Sequence, residues 1–309
     1  MVNHFGKPGT VSRLVCLLYL KLFCMENLTD NELVTKGLQG DKQSLEVLIS
    51  RYNDLIFNIS FKMVQNKDDA ADITQEVLIK IITKLDTFKH DSAFKTWMYR
   101  ITVNHILNFR KSSAIKSRAA FRQFGDRLDN APSLELTADD HYAADKLLLT
   151  EETKQTCMSG MLLCLDKRQR MVFILGELFG VNDKTGSEIL EITPTNFRMI
   201  LSRAKKDLYN FMQNKCGLVN TDNPCRCAKK TRAFIEAGFV NPANLRFMGS
   251  HLKKIESVSG EKQKNLENLY SNEYRQLFQE HAYLKGPDFT RLLNELLSSD
   301  KVNKLFNLN

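Results

Sequence analysis

The sequence is poor in helix breakers. Its 309 residues include 14 Gly, 6 Pro and one Trp. That scarcity disfavours a loop-rich all-β design and excludes a collagen-like or low-complexity chain. A regular cysteine framework is also missing, because the 7 Cys are odd in number and irregularly spaced. This argues against a secreted disulfide scaffold and for reduced thiols in a cytoplasm. No internal repeat is visible. The apolar stretch at 11–25, VSRLVCLLYLKLFCM, is interrupted by Lys21 and lacks a small-residue cleavage pattern. It is shorter than the ~20 residues of a membrane span, so no membrane association is expected. Residues 1–25 read as an extension ahead of a second start at Met25, in preference to an anchor or a helix packed on the body. Asp68, Asp69 and Asp72 have neither a His partner nor a Gly-rich phosphate loop nearby, which argues against a metal-dependent nuclease.

What is abundant is charge and helical periodicity. Lys and Arg number 44 against 36 Asp and Glu, a net charge of +8. Such a balance suits a polyanionic partner without proving one. Leu45, Leu48, Tyr52, Leu55, Ile56, Ile59 and Met63 recur at spacings of three and four, and so do Ile73, Val77, Leu78, Ile81, Ile82 and Leu85. A third helix is expected from Thr96 to Lys111. The fold class is therefore all-α. The expected units are a helical bundle at 26–112, a weakly periodic linker at 113–144, a second helical unit at 145–214 and a helical tail at 215–309. Within the tail, the helical pattern is expected over Glu261 to Leu297.

Two helices carry faces with chemistry. At 100° per residue, Trp97, Arg100, Asn104, Asn108 and Lys111 share one side of the third helix, and Met98, Thr102, Val103, Ile106 and Phe109 lie largely opposite. Arg and Lys neutralise phosphates, Asn reads base edges and aromatics stack on unpaired bases. A polar surface face with one half-buried Trp is the alternative. His105, at the edge of this face, reads as a packed residue. The second signal is Ser187 to Ile192, then Thr193–Pro194, then Thr195 to Phe211, which reads as helix, turn, helix. Thr193 is an N-cap type and Pro194 suits the first helical position. Phe197, Leu201, Ala204, Leu208 and Phe211 form an apolar stripe, leaving Arg198, Ser202, Arg203, Lys205 and Lys206 outside. In a helix-turn-helix the second helix enters the major groove.

These segments resemble a known family. DDAADITQEVLIKIITKLDTF, followed by FKTWMYRITVNHILNFRK, is similar to conserved region 2 of bacterial sigma-70 factors, especially the extracytoplasmic-function (ECF) type. LDKRQRMVFILGELFG and SEILEITPTNFRMILSRAKKDL resemble region 4, and LTDNELVTKGLQGDKQSLEVLISRY fits the family opening. The resemblance implies a promoter-specificity subunit of RNA polymerase, acting without a catalytic residue or a required cofactor. Region 2 would dock on the coiled coil of the β′ subunit through Asp72, Gln75 and Glu76, within a core polymerase whose β and β′ subunits are the implied partners. The loop from Phe88 to Phe94 would capture a flipped base, and Trp97, Arg100, Asn104, Asn108, Arg110 and Lys111 would engage the −10 strand. Arg198, Ser202, Arg203 and Lys206 would read the −35 element. Promoter DNA and core polymerase are the implied partners, an anti-sigma protein is a further one the family allows, and the implied place is the cytoplasm.

Three departures stand out. Glu191 occupies the turn position where the family usually has Gly, so a strained left-handed residue is expected there. Met199 and Ile200 replace residues that are usually polar or basic. The tail also departs: Cys216, Cys225 and Cys227 form a C-x8-C-x-C pattern that could ligate zinc as thiolates, with His251 or His281 as a fourth ligand. Lys215, Arg226, Lys229, Lys230 and Arg232 are expected to lower the thiol pKa values. A structural loop with inert Cys is the other reading of this segment. Two rivals to the sigma-factor reading are a plain helix-turn-helix regulator, which leaves Asp68 to Lys111 unexplained, and an enzyme with a basic surface, which has no motif.

Overall fold

The structure, a computed structural model, describes residues 27–109, 117–137, 146–247, 284–289, 294–295 and 298. Among these there are helices and no strand. The first bundle comprises α1 (Asp30–Leu38), α2 (Lys42–Val64), α3 (Lys67–Thr83) and α4 (Phe94–Asn108). Local chemistry sets most of the starts. Thr29 and Glu32 form a reciprocal capping box on α1. Asp41 accepts from Gln43 N at 3.2 Å, and Asn66 accepts from Asp68 N and Asp69 N at 2.9 and 3.0 Å. Each such bond satisfies an amide the helix itself leaves unpaired. α4 differs, because it begins after Ala93 with no side-chain cap.

α5 (Ser117–Asn130) lies inside the stretch expected to be a linker. Phe121, Phe124 and Leu128 recur at three and four, and Phe121 and Phe124 pack their rings on Phe211, at 5.3 and 5.7 Å between centroids. That apolar stripe, short and set among charges, is what turns the segment into a packed helix.

The second unit comprises α6 (Lys146–Leu163), α7 (Lys167–Phe173), α8 (Asp183–Leu190) and α9 (Pro194–Lys215). α7 runs on through a π turn at Ile174–Leu178. Asp166 caps α7, Asn182 caps α8 and Thr193 caps α9, with Pro194 in the first turn. Glu191 sits at φ 53° and ψ 48°, the left-handed conformation expected of it. Gly186 lets α8 and α9 approach: a Cβ there would stand 2.3 Å from the Phe197 ring.

The two units share one core. Buried residues from Leu33 to Ile106 and from Met158 to Met212 form a single apolar cluster. Two cations of α7 also reach across the seam. Buried Arg170 donates to Met63 O at 2.7 Å and to the carbonyls of Leu162, Leu163 and Leu165 at 2.8, 2.8 and 3.0 Å. Lys167 Nζ donates to Leu107 O and Phe109 O, both at 2.7 Å. The carbonyl ends of α2 and α4 are thus closed by side chains of the other unit, where a cation also meets the favourable end of the helix dipole. Burial pulls the Arg170 pKa down to about 10.

The tail contributes α10 (Cys227–Glu236), packed along α6. Buried Glu152 accepts from the backbone N–H of Arg246 at 2.7 Å and of Phe247 at 2.9 Å, and the Phe247 ring lies 6.0 Å from that of Phe61. Asn58, buried on α2, pairs with the backbone of Leu284: Nδ2 donates to its carbonyl at 2.7 Å and Oδ1 accepts its N–H at 2.6 Å. Residues 284–289 are not helical, contrary to the helix expected across Glu261 to Leu297, and Gly286–Pro287 supply the local reason. The rest of that expected helix, apart from 294–295 and 298, lies outside the described residues.

Candidate nucleic-acid interface

Three surfaces were expected, and each can be followed from residue to face. On α3, Asp72, Gln75 and Glu76 are all exposed, while Ile73, Thr74, Val77 and Leu78 between them are buried. The spacing of three and four puts the polar trio on one side. Behind it lies His105 of α4, whose side chain is 8% exposed; its Nε2 is 3.3 Å from Glu76 Oε2. Lys80 Nζ stands 2.5 Å from His105 Nδ1. An ammonium only donates, so Nδ1 accepts and the ring proton sits on Nε2, facing Glu76. Burial lowers the His105 pKa first, Lys80 lowers it further and Glu76 works against both. His105 is packed, as its place in the sequence suggested.

The α4 face is divided. Asn104 and Asn108 are exposed, whereas Trp97 and Arg100 are half-buried. The Trp97 ring lies 5.5 Å from both Phe88 and Phe94. Arg100 Nε is buried without a hydrogen-bond partner. Met98, Thr102, Val103 and Ile106 are buried opposite, as the wheel required, and Phe109 is half-buried. Arg110 and Lys111 lie outside the described residues. In the loop before α4, His90 takes φ 59° and its Nδ1 lies 3.2 Å from Asn31 Oδ1. Sequence reasoning did not single out His90; a ring residue between Lys89 and Asp91 in a segment without Gly was the available signal.

The α9 face is open. Arg198, Ser202, Arg203 and Lys206 are exposed, joined by Thr195, Tyr209 and Asn210. At 100° per residue they span an arc of roughly 140°. Phe197, Ala204, Leu208 and Met212 are buried beneath, with Leu201 and Phe211 half-buried. Arg198 pairs with Asp183 at the start of α8 and donates to Thr195 Oγ1 at 3.2 Å. Lys205 turns the other way, onto Glu177 at 3.1 Å. The two departures part company: Met199 is 46% exposed within the basic arc, while Ile200 packs on the core.

The tail thiols reverse one expectation. Cys216, Cys225 and Cys227 are half-buried, and burial raises the pKa of each, that of Cys227 to about 12. Arg226, Lys230 and Lys154 work against this rise, but burial outweighs them, and several of the cations expected to act here are also engaged by other partners. Arg226 donates to Thr221 O and Cys225 O at 2.8 and 3.0 Å, Lys215 pairs with Asp129, and Arg232 with Glu236 at 3.2 Å. His251 and His281 lie outside the described residues. A fourth thiol that spacing did not suggest, Cys157 of α6, stands within electrostatic reach of all three.

Comparison with known proteins finds a family match for the first bundle. The model of Sigma-70 region 2 matches residues 48–114, which span α3, the loop and α4. The chain carries a sigma-70 region 2. It is 27% identical over 190 residues to the ECF RNA polymerase sigma-E factor of Escherichia coli (strain K12), covering 61% of this chain and 96% of that protein. The sigma-E factor of Haemophilus influenzae is 27% identical over 202 residues, covering 61% of this chain and 97% of the relative. The solved structure of CnrH in complex with the cytosolic domain of CnrY aligns at TM-score 0.41 and 17% identity over 60% of this chain and 97% of that one, too distant for an argument. The region 2 match and the sigma-E relatives support an RNA polymerase sigma factor of the sigma-70 family, similar to its ECF type. No helix of the described residues is long and apolar enough to cross a membrane.

Proposed function

We propose that this protein binds core RNA polymerase and directs it to promoters, acting in the cytoplasm as a specificity subunit rather than as an enzyme. The observation that carries the reading is the juxtaposition on region 2 of an exposed Asp72–Gln75–Glu76 trio with the polar edge of α4, one element away. The trio suits docking on a basic polymerase surface. Asn104 and Asn108 are free to meet bases, and Trp97 and Arg100 supply stacking and phosphate contacts on the −10 strand. Arg110 and Lys111 would add phosphate contacts there. The unit from α8 to α9 acts as region 4 and lays Arg198, Ser202, Arg203 and Lys206 against the −35 element. Promoter opening then rests on binding energy used to unstack bases, at a few kcal/mol per base.

A plain helix-turn-helix regulator would leave the α3 trio without a use, so core binding separates the two readings. Glu76→Lys should weaken the complex with core polymerase at least about tenfold, a charge reversal in a rim-exposed docking face, while helical content is kept. Core affinity equal to the parent protein would overturn the reading of this face. Asn104→Ala should lower open-complex formation with core binding intact.

A further inference from the structure

We infer that Cys157, Cys216, Cys225 and Cys227 together form a four-thiolate site for a zinc-class divalent cation, which clamps the start of the tail to α6 and α9. Spacing in the sequence offers three thiols; the fold supplies the fourth from α6.

The backbone is built to hold two of the thiols side by side. Cys216 ends α9, and Gly217 N donates to Cys225 O at 3.2 Å. Gly217 is required for that approach, since a Cβ would stand 2.2 Å from Cys225 O and 1.9 Å from an Arg226 nitrogen. Asn223 Nδ2 braces the turn through Gln213 O at 2.9 Å and Cys216 O at 3.2 Å. Cys227 opens α10, which packs along α6, the helix of Cys157. Every one of the six pairings among the four thiols falls within electrostatic reach. Val219 N donates to Cys216 O at 3.3 Å, and the amides of Leu218 and Val219 lie close enough to favour a Cys216 thiolate.

The charge surroundings agree. Four thiolates and a dication leave two negative charges. Lys154, with its side chain only 6% exposed, and buried Lys230 stand beside the cluster and are oriented by Glu151 and by the Ala131 carbonyl. Lys154 is already paired with Glu151, and a metal tetrathiolate would add a counter-charge to both cations in this low-dielectric setting. Among the described residues, no three Cys, His, Asp or Glu groups already stand at ligand spacing. Closing the thiols on an ion therefore requires their side chains to move, which rotation about Cys χ1 between staggered positions allows. Binding releases the four thiol protons to solvent. Four sulfur donors without a carboxylate select zinc-like ions over magnesium or calcium.

The test titrates the full-length protein, reduced and metal-free, with Co²⁺ and then Zn²⁺. One equivalent of Co²⁺ should give tetrahedral ligand-field bands with intense sulfur-to-metal charge transfer, and Zn²⁺ should abolish them one for one. Cys157→Ser should cut the charge-transfer intensity and weaken Zn²⁺ affinity at least about tenfold against a chromophoric chelator. Cys164→Ser, a buried thiol within reach of Cys157 but of none of the other three, should leave both unchanged. If Cys157→Ser loses its fold by circular dichroism, Cys157→His decides instead, with binding kept and the bands shifted toward a three-sulfur, one-nitrogen pattern. A parent protein that takes up no metal overturns the inference. So does a Cys157→Ser variant with an undiminished four-sulfur spectrum. Because the readout is metal uptake, it stands apart from polymerase binding.

Discussion

α4 and α9 carry similar side chains to different places. Each is a helix of region-scale length with Arg, Asn or Ser on one side and an apolar stripe on the other. α9 starts from a Thr193 cap with Pro194 behind it and leaves its whole basic arc in solvent. α4 has no side-chain cap, half-buries Trp97 and Arg100, and has its last carbonyls closed by Lys167 from the other unit. α8, the partner of α9 in the helix-turn-helix, also packs on α4. The open face can meet a groove as it stands. The divided face exposes Asn104 and Asn108 but holds Trp97 against Phe88 and Phe94, so the proposed stacking on a base would require releasing it. Composition therefore describes what the two faces offer, and burial decides what each costs to use.

The largest expected effect comes from breaking the seam that makes the two faces unequal. Arg170→Met removes a guanidinium serving four carbonyls and keeps the volume of the side chain. Leaving those acceptors buried without a donor should cost about 3 kcal/mol in urea unfolding. Hydrogen exchange should quicken at the end of α2 as well as in α7. A loss under about 1 kcal/mol would mean that the shared apolar core alone holds the units together, and the contrast between α4 and α9 would then not depend on this seam.

A smaller effect sharpens the α9 side. Glu191 is left-handed in the turn, and a non-Gly residue there costs roughly 1 kcal/mol. Glu191→Gly should raise stability by about that much, and Glu191→Ala should not, since Ala keeps the Cβ. The comparison of the two variants by thermal unfolding isolates backbone strain from the lost carboxylate. Equal stability of the Gly and Ala variants would show the turn to be relaxed in solution.

The helices of the first bundle, the Thr193–Pro194 start and the strained Glu191 were all legible in the sequence, because caps, periodicity and φ preference are local. α5 was not: its stripe of Phe121, Phe124 and Leu128 is brief, and its partners, Phe211 of α9 with Leu149 of α6 and Phe234 of α10, are distant in sequence. The Asp72–Gln75–Glu76 face was named from the family resemblance, and helical spacing only leaves it outside the apolar stripe. The partial burial of Trp97 and Arg100 was not legible, since a helical wheel shows direction but no neighbours. Nor was the direction of the thiol pKa shifts, because sequence shows nearby Arg and Lys without showing that Arg226 spends its donors on carbonyls. Cys157 was invisible for the same reason, being brought to the tail only by the packing of α10 on α6.

The smallest effect concerns the α3–α4 contact, where the docking trio and the divided face meet. His105 is held neutral, with its pKa below the ordinary imidazole value of 6.5 because of burial first and Lys80 second. The unfolded chain then takes up the proton first as the pH falls. Folded-state stability tied to His105 is complete above about 6.5 and is lost as the pH drops through the folded pKa. Glu76 moderates the loss, since a protonated ring would face its carboxylate at 3.3 Å. Unfolding at pH 7.5 and at pH 5 should therefore show a steeper decline for the parent protein than for His105→Gln, which cannot titrate there. Adding Glu76→Gln to the parent should steepen it further by removing the one attractive charge. Identical declines in parent and His105→Gln would place the ring in solvent, and the edge of α4 behind the trio would then be as open as the face of α9.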